Sequence, residues 1–591
     1  MNDAPSAGAP CATERSPQGR LRQLAASRRA WFALLFVFAV GHYACYFRHG
    51  LNFRDEGGTV ALVAQRMLAG ERPFTDVALG GYNVLWFWPV VGLFKVVGVD
   101  YVALRAFCFV LATITALLVF WMVDRASRRP WLAFLVATMA VLVPGMTFKN
   151  YMPLLAVANS AGLLGFTLAP AGTRARWWRL IVGGVVLGAT WLIRVDLGIF
   201  FTALWLGGSI LGALHRATAR ARVVSLLAAP LALTGIVVAC HLPFYADAKK
   251  RDYDASFTAQ YSLWPKMMLG ELRRLVPAQR PALPPAKVAP VEVVAAKAPV
   301  AKAAAGRDIL RRKGWRDVFA APTADQRLLA VLLYLPLFSL VPLALAALWQ
   351  WLRALRSTAP DAAPRALAAL LVIGGGLTVF PQYFFFRPDS PHLSEFSPSF
   401  WAAVAAAPFL LGLRGWTARL CAALLLGHAA IFLWRMWPDR WAGTIWVRKD
   451  RRTRFEAENG VRVFLTKREA LNLAALRDTI RAHAQPGDYL VAYPYHPALN
   501  LLSNLPTYER DVYVDNATRG ARWSQEAIER IEKYQPAVIV LSEWAVNGHD
   551  ESRFSAWAGA AKAWIQEHYE AQGTFPVSSD RFEVYTRPAK P

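Results

Sequence analysis

Long apolar runs alternate with short polar connections through residue 437, and then the pattern changes. Runs near the length of a membrane crossing fall at 31–47, 102–123, 131–147, 151–169, 180–195, 197–214, 223–243, 327–352, 366–386, 399–413 and 417–437. A membrane span needs about 20 apolar residues, with a lower limit of ~17. The pattern therefore predicts a polytopic α-helical membrane protein of about eleven spans, some near that limit. The run Tyr82–Val97 is short, carries Trp86, Trp88 and Lys95, and is broken at Pro89. It reads as a helix lying in the membrane interface. Beyond the last run, 487–495, 536–542 and 581–587 read as strands, and 524–534 and 553–571 as helices. That alternation predicts a small α/β domain within 438–591.

Charge orients the chain. The 591 residues are 55% hydrophobic with a net charge of +26, and the mean hydropathy is +0.28. No basic surface interleaved with aromatics points to nucleic acid. Arginine instead gathers in alternate connections, as cytoplasmic loops require. With the N-terminus inside, the inner segments hold Arg15, Arg20, Arg22, Arg28 and Arg29; then Arg125, Arg128 and Arg129; then Arg174, Arg176 and Arg179; then Arg216, Arg220 and Arg222. Arg353, Arg356 and Arg365 follow, and finally Arg414 and Arg419. Counting Tyr82–Val97 as a span would turn Arg125–Arg129 outward, so the charges favour the interfacial assignment. The domains expected are a basic cytoplasmic tail (1–30), a membrane region (31–437) and an external domain (438–591). The external loops are 48–101, 244–326 and 387–398. Residues 277–305 form a low-complexity Ala/Pro/Lys/Val insert that reads as a linker. The N-terminus lacks a small-residue cleavage site, so 31–47 reads as a retained span rather than a leader. Cys11, Cys45, Cys108, Cys240 and Cys421 have no metal-ligand spacing and read as packing residues.

The first external loop carries the sharpest motif. It reads "NFRDEGGTVALVAQRMLAGERPFTD": two adjacent carboxylates, Asp55 and Glu56, then a glycine pair, an amphipathic helix near Thr59–Leu68, a glycine turn and Asp76. Acidic residues also suit a helix N-terminus, so a capping role competes with a chemical one. The acidic pair, the loop "A…LAGERPFTD" (64–76) and the topology resemble the GT-C superfamily of membrane glycosyltransferases. The likeness is to the branch holding protein O-mannosyltransferases, aminoarabinose transferases and many bacterial relatives. The resemblance implies a polyprenyl-phosphate sugar as donor, an external Asp as catalytic base, and an acceptor on the outer side. It also implies an inner-membrane location in a bacterium. Carried over residue by residue, Asp55 is the base, and Glu56 orients the acceptor, binds a divalent ion or shares the proton. The chemistry agrees: glycosyl transfer needs a base for the acceptor proton, and the leaving lipid phosphate needs cations, hydrogen-bond donors or a metal. A single displacement inverts C1.

Other outward positions are candidates for substrate binding. Asp76 suits an interfacial turn as well as a substrate contact. Lys149, in "TFKNYMP", suits a lipid phosphate and equally a lysine reaching the headgroups. Arg194 and Asp196, in "WLIRVDLG", interrupt apolar sequence, where ionisable residues are functional candidates; an ion pair fixing two helix ends is the competing assignment. Arg387, Asp389, His392 and Glu395 crowd into "FFFRPDSPHLSEF". Arg387 suits phosphate, and the other three offer hard ligands for Mg²⁺ or Mn²⁺, or acceptors for sugar hydroxyls, on no recognised metal spacing. His42 and His241 read as structural. The C-terminal domain has no phosphate loop or nucleophile elbow and is expected to cover the outer face or contact an acceptor. A transporter or flippase for lipid-linked sugars would want polar or broken helices at mid-membrane and an inverted repeat; neither is found. An oligosaccharide ligase or polymerase would want arginines in a large central loop, and 244–326 is mostly Ala and Pro there.

Overall fold

The computed structural model describes residues 27–45, 47–52, 55–80, 82–143, 147–170, 173–214, 219–275, 324–356, 362–378, 390–436, 453–512, 514, 522–545, 550–577 and 580–588. Cys11, the insert 277–305, Arg387, Asp389, and the side chains of Asp55 and His392 lie outside the described residues.

Each expected apolar run falls on a helix over its described residues, and further helices lie between them. In chain order these are α1 (Arg28–Ala44), α2 (Val63–Leu68), α3 (Trp88–Val97), α4 (Tyr101–Ser127), α5 (Pro130–Leu142), α6 (Tyr151–Thr167) and α7 (Arg174–Ile193). Then come α8 (Val195–Leu214), α9 (Ala219–Lys250), α10 (Asp254–Leu275), α11 (Ala324–Ala354), α12 (Ala362–Leu377), α13 (Ser390–Leu410) and α14 (Trp416–Met436). Among the described residues, five helices are long and apolar enough to cross a membrane: α4, α8, Leu226–Lys250 of α9, Ala330–Ala354 of α11 and Trp416–Trp434 of α14. The protein is thus a multi-pass helical membrane protein. Tyr82–Val97 is a 3₁₀ turn at Val84–Trp86 followed by the ten-residue α3. Helix starts are set locally: Asp100 accepts from the Ala103 N–H at 2.8 Å to begin α4, and Pro130 occupies the first turn of α5. Helices approach closely through small residues, as helices in lipid do. A Cβ on Gly188 of α7 would stand 2.7 Å from that of Cys240 in α9.

The arginine-rich ends gather on one face. Arg28 pairs with Asp124, Arg129 lies over the Phe409 ring, Arg365 donates to the Phe409 carbonyl, and Arg179 donates to that of Gly165. The opposite face carries the first loop, the α5–α6 and α7–α8 connections, and the entire C-terminal unit.

That unit holds a hairpin, β1 (Thr453–Ala457) and β2 (Val461–Leu465), then α15 (Lys467–Ala482). A four-stranded sheet follows, in the order β3 (Leu490–Tyr493), β4 (Val538–Ser542), β6 (Asp580–Thr586), β5 (Glu570–Val577). β3 and β4 are parallel; β4–β6 and β6–β5 are antiparallel. Helices α16 (Ala498–Ser503), α17 (Trp523–Tyr534), α18 (Phe554–Trp557) and α19 (Gly559–His568) complete it. Four features differ from expectation, two of them the helices α15 and α16, which were not expected from the sequence. The helix expected over 553–571 breaks between Trp557 and Gly559, and its last residues enter β5. That strand is mostly exposed, so it shows no apolar alternation. The hairpin was also not expected; it turns at Asn459 and Gly460, both left-handed (φ 55° and 64°), as a tight hairpin demands.

Candidate functional site

The Asp-Glu motif opens an eight-residue π-helix, Asp55–Leu62. This wide helix form is rare and concentrates at functional positions. The glycine pair suits it: a Cβ on Gly57 would stand 2.9 Å from that of Ala498. The helix runs on into α2 and is buried nearly throughout, so the amphipathic helix expected at Thr59–Leu68 sits inside the molecule.

Glu56 is buried, and its carboxylate has a fixed set of partners. Its Oε2 accepts from the Tyr101 hydroxyl at 2.6 Å, and from Arg105 Nε at 2.9 Å and Nη2 at 2.6 Å. Thr147 adds a side-chain hydrogen bond. Burial pushes the Glu56 carboxyl up, but the Arg105 charge and these hydrogen bonds outweigh it and hold the group below its usual value. Arg105 is equally committed: its Nη1 donates to the carbonyls of Phe47, His49 and Gly50 at 3.0–3.1 Å. The pair ties the loop after α1 to the first turns of α4. Glu56 is therefore an ionised anchor in this structure, and Asp55 begins the helix that it anchors. Arg105 lies inside an apolar run, and that anomaly was the signal for it.

Lys149 and Glu395 come together from distant sequence. Their charges stand 3.6 Å apart, both buried. Lys149 also lies 5.3 Å over the Phe148 ring. Lys149 and Thr147 share one 3₁₀ turn, so this pair adjoins Glu56. Arg194 and Asp196 form a buried bidentate pair, Nε to Oδ1 at 2.8 Å and Nη2 to Oδ2 at 2.7 Å. Arg194 lies over Tyr82 (5.6 Å), Tyr82 stacks on Trp86 (4.2 Å), and Trp86 packs on Tyr151 (4.8 Å). An aromatic strip thus joins Arg194 to the Lys149 region. Asp76 stands apart. Its carboxylate accepts from the Arg72 backbone N–H at 2.8 Å and from its guanidinium at 3.0 Å, closing a turn. The Arg72 hydrogen bond holds the Asp76 carboxyl below its usual value. Arg66, a further buried cation, donates to Glu71, to the Asp76 carbonyl and to the Glu509 carbonyl. Among the described residues, no three His, Cys, Asp or Glu side chains converge as a metal site.

The face thus presents an anchored acidic turn, two buried cation–carboxylate pairs and an aromatic strip. Residues 37–245 match the family model described as dolichyl-phosphate-mannose-protein mannosyltransferase. The match bears out the resemblance to membrane glycosyltransferases seen in the sequence. No curated protein sequence matches the chain. Among solved structures, the apo crystal structure of ArnT from Cupriavidus metallidurans is 13% identical. That alignment covers 94% of this chain and 98% of that one, with a TM-score of 0.38. The same protein bound to undecaprenyl phosphate gives 14% identity, 95% and 99% coverage, and a TM-score of 0.39. The archaeal oligosaccharyltransferase AglB from Archaeoglobus fulgidus, in complex with an inhibitory peptide and a dolichol-phosphate, is 11% identical. It gives 92% and 73% coverage, with a TM-score of 0.42.

Proposed function

We propose that the chain is an inverting glycosyltransferase that moves a sugar from a polyprenyl-phosphate carrier to an acceptor on the outer side of a bacterial inner membrane. The acceptor is a glycolipid, polysaccharide or protein of the periplasm. The observation that carries this assignment is the family match over 37–245, a segment that contains Asp55, Glu56, Asp76, Lys149, Arg194 and Asp196. The proposed topology, about eleven spans with the N-terminus cytoplasmic, puts these residues on the outer side.

In this mechanism, Asp55 takes the proton of the acceptor hydroxyl or amine as that group attacks C1. The C1–O bond to the carrier phosphate breaks on the opposite side, so the configuration inverts. Lys149, Arg194 and Arg387 are the cations for the departing phosphate. Glu56, neutralised by Arg105, holds the turn that carries Asp55. No step is assigned to a metal: Glu395 stands 3.6 Å from the Lys149 ammonium, and Asp389 and the His392 side chain, the other hard ligands considered, lie outside the described residues.

The test is Asp55→Asn in a deletion host, with mass spectrometry of surface glycans and of lipid-linked sugars, and immunoblotting for protein level. The expected result is loss of one sugar from a glycan and accumulation of its carrier-linked form. Unchanged glycans with stably inserted protein would remove Asp55 as the base.

A further inference from the structure

The C-terminal unit lies directly on the element that carries Asp55. A π-helix is rare and mostly confined to single turns within α-helices, so a run of eight residues calls for outside support. Here it is held from two sides. Arg105 and Tyr101 grip Glu56 from α4. From the other side, α16 packs against Gly57, where a Cβ would meet that of Ala498 at 2.9 Å. Two residues on, the Thr59 hydroxyl hydrogen-bonds the Tyr495 hydroxyl at 2.7 Å, both groups buried. Tyr495 follows β3 by two residues, and its ring lies 6.3 Å from that of Trp544, two residues beyond β4. Further contacts flank this one. Arg66 Nη1 donates to the Glu509 carbonyl at 2.7 Å, and the Ala78 N–H donates to that of Arg510 at 2.9 Å. Glu509 is itself locked by Tyr493 and Arg530. The hairpin tip accepts from the Tyr101 N–H at the Asn459 carbonyl, 3.0 Å.

From this geometry we infer that the C-terminal unit is a clamp on the catalytic turn, with Tyr495 and Thr59 as its positioning pair. It holds the π-helix so that Asp55 keeps one position against donor and acceptor, rather than serving as a separate acceptor-binding module. Sites built from rigid elements hold geometry to within about half an ångström, and a misplacement of ~1 Å costs about a hundredfold in rate. The inference rests on Asp55 as base.

The experiment uses the full chain. Thr59→Val and Tyr495→Phe each delete the bond with little change in shape, Thr59→Ser keeps it, and the double variant tests coupling. Hydrogen–deuterium exchange is read over 55–62, with 151–167 as an internal reference. In cells, the rate at which the sugar appears on surface glycans after induction is read per unit of inserted protein. Each deletion is expected to speed exchange over 55–62 alone and to slow transfer about tenfold, a milder misplacement than ~1 Å. Thr59→Ser should keep both at wild-type values, and the double variant should be no worse than the worse single one. Unchanged exchange, or faster exchange with unchanged transfer, overturns the clamp. A loss of transfer explained by lost protein, without rescue by Thr59→Ser, also overturns it. If Asp55→Asn leaves transfer intact, the base assignment fails on its own, and the exchange data still judge the grip on the helix.

Discussion

Glu56 shows how a residue that stands out in sequence can take its role from a partner that does not. Its carboxylate is ionised because Arg105 is buried beside it, and neither charge could be buried alone. Glu56→Gln leaves Arg105 facing an amide and is expected to cost about 3–5 kcal/mol, measured as a drop in thermal midpoint in detergent. The pH dependence follows from the depressed carboxyl. The group loses its proton more readily folded than unfolded, so its stabilisation is present above the ordinary value of 4.5 and is lost as pH falls through the lower folded value. The gap between wild type and Glu56→Gln should therefore be equal at pH 7 and pH 5, and shrink only below about 4.5. Lys149, Arg194 and Asp196 were legible because charge beside an apolar run is conspicuous. Their pairings were only partly so. Asp196 is two residues from Arg194, and a local pair was one of the assignments weighed. Glu395 is 246 positions from Lys149, and no local pattern announces such a contact.

Among the elements, the membrane helices were legible because an apolar run near the length of a crossing leaves few alternatives. The strands β3 and β4 were legible as short apolar runs, and the helix α17 by its amphipathic repeat. The hairpin β1–β2 was not recognised, although Asn459-Gly460 between strand-like residues is a strong hairpin signal. Its strands have five residues each, and its partner surface, the start of α4, lies over 350 positions earlier. That tip makes a sharp prediction. Gly460 has φ 64°, and a Cβ there would stand 2.4 Å from the Asp100 carboxylate. Gly460→Ala combines backbone strain with a clash at the helix cap that Asp100 supplies to α4. A loss of about 1–3 kcal/mol is expected, with faster hydrogen exchange at the first turn of α4. A surface glycine without a close neighbour, such as Gly487, gives the comparison for backbone strain alone: its φ is 97° and nothing lies within 4 Å of a Cβ. Gly487→Ala should leave exchange at α4 unchanged.

For the whole molecule, the arginine pattern and the folded architecture select the same two faces by independent routes. Arg28, Arg129, Arg179 and Arg365 meet helix ends on one face. Glu56, Lys149, Arg194 and the C-terminal unit occupy the other, and the hairpin's contact with Tyr101 holds the first loop and the C-terminus together. The proposed topology passes the membrane between these faces, and its direction is assigned from charge. In the proposed orientation, with arginine on the cytoplasmic side, the site faces outward, where a lipid-linked donor and an envelope acceptor could meet. Single cysteines in a background lacking the five native ones decide it. Leu471→Cys sits on an exposed position of α15, and Thr417→Cys on an exposed position near the start of α14. A membrane-impermeant maleimide should label Leu471→Cys in intact cells, and Thr417→Cys only after permeabilisation. The reverse pattern would turn the site to the cytoplasm, where soluble nucleotide sugars are at hand and a polyprenyl-phosphate donor would lose its rationale. Labelling of both in intact cells would mean that the two faces are not separated by a bilayer, and the packing of α4 between them would have to be explained without one.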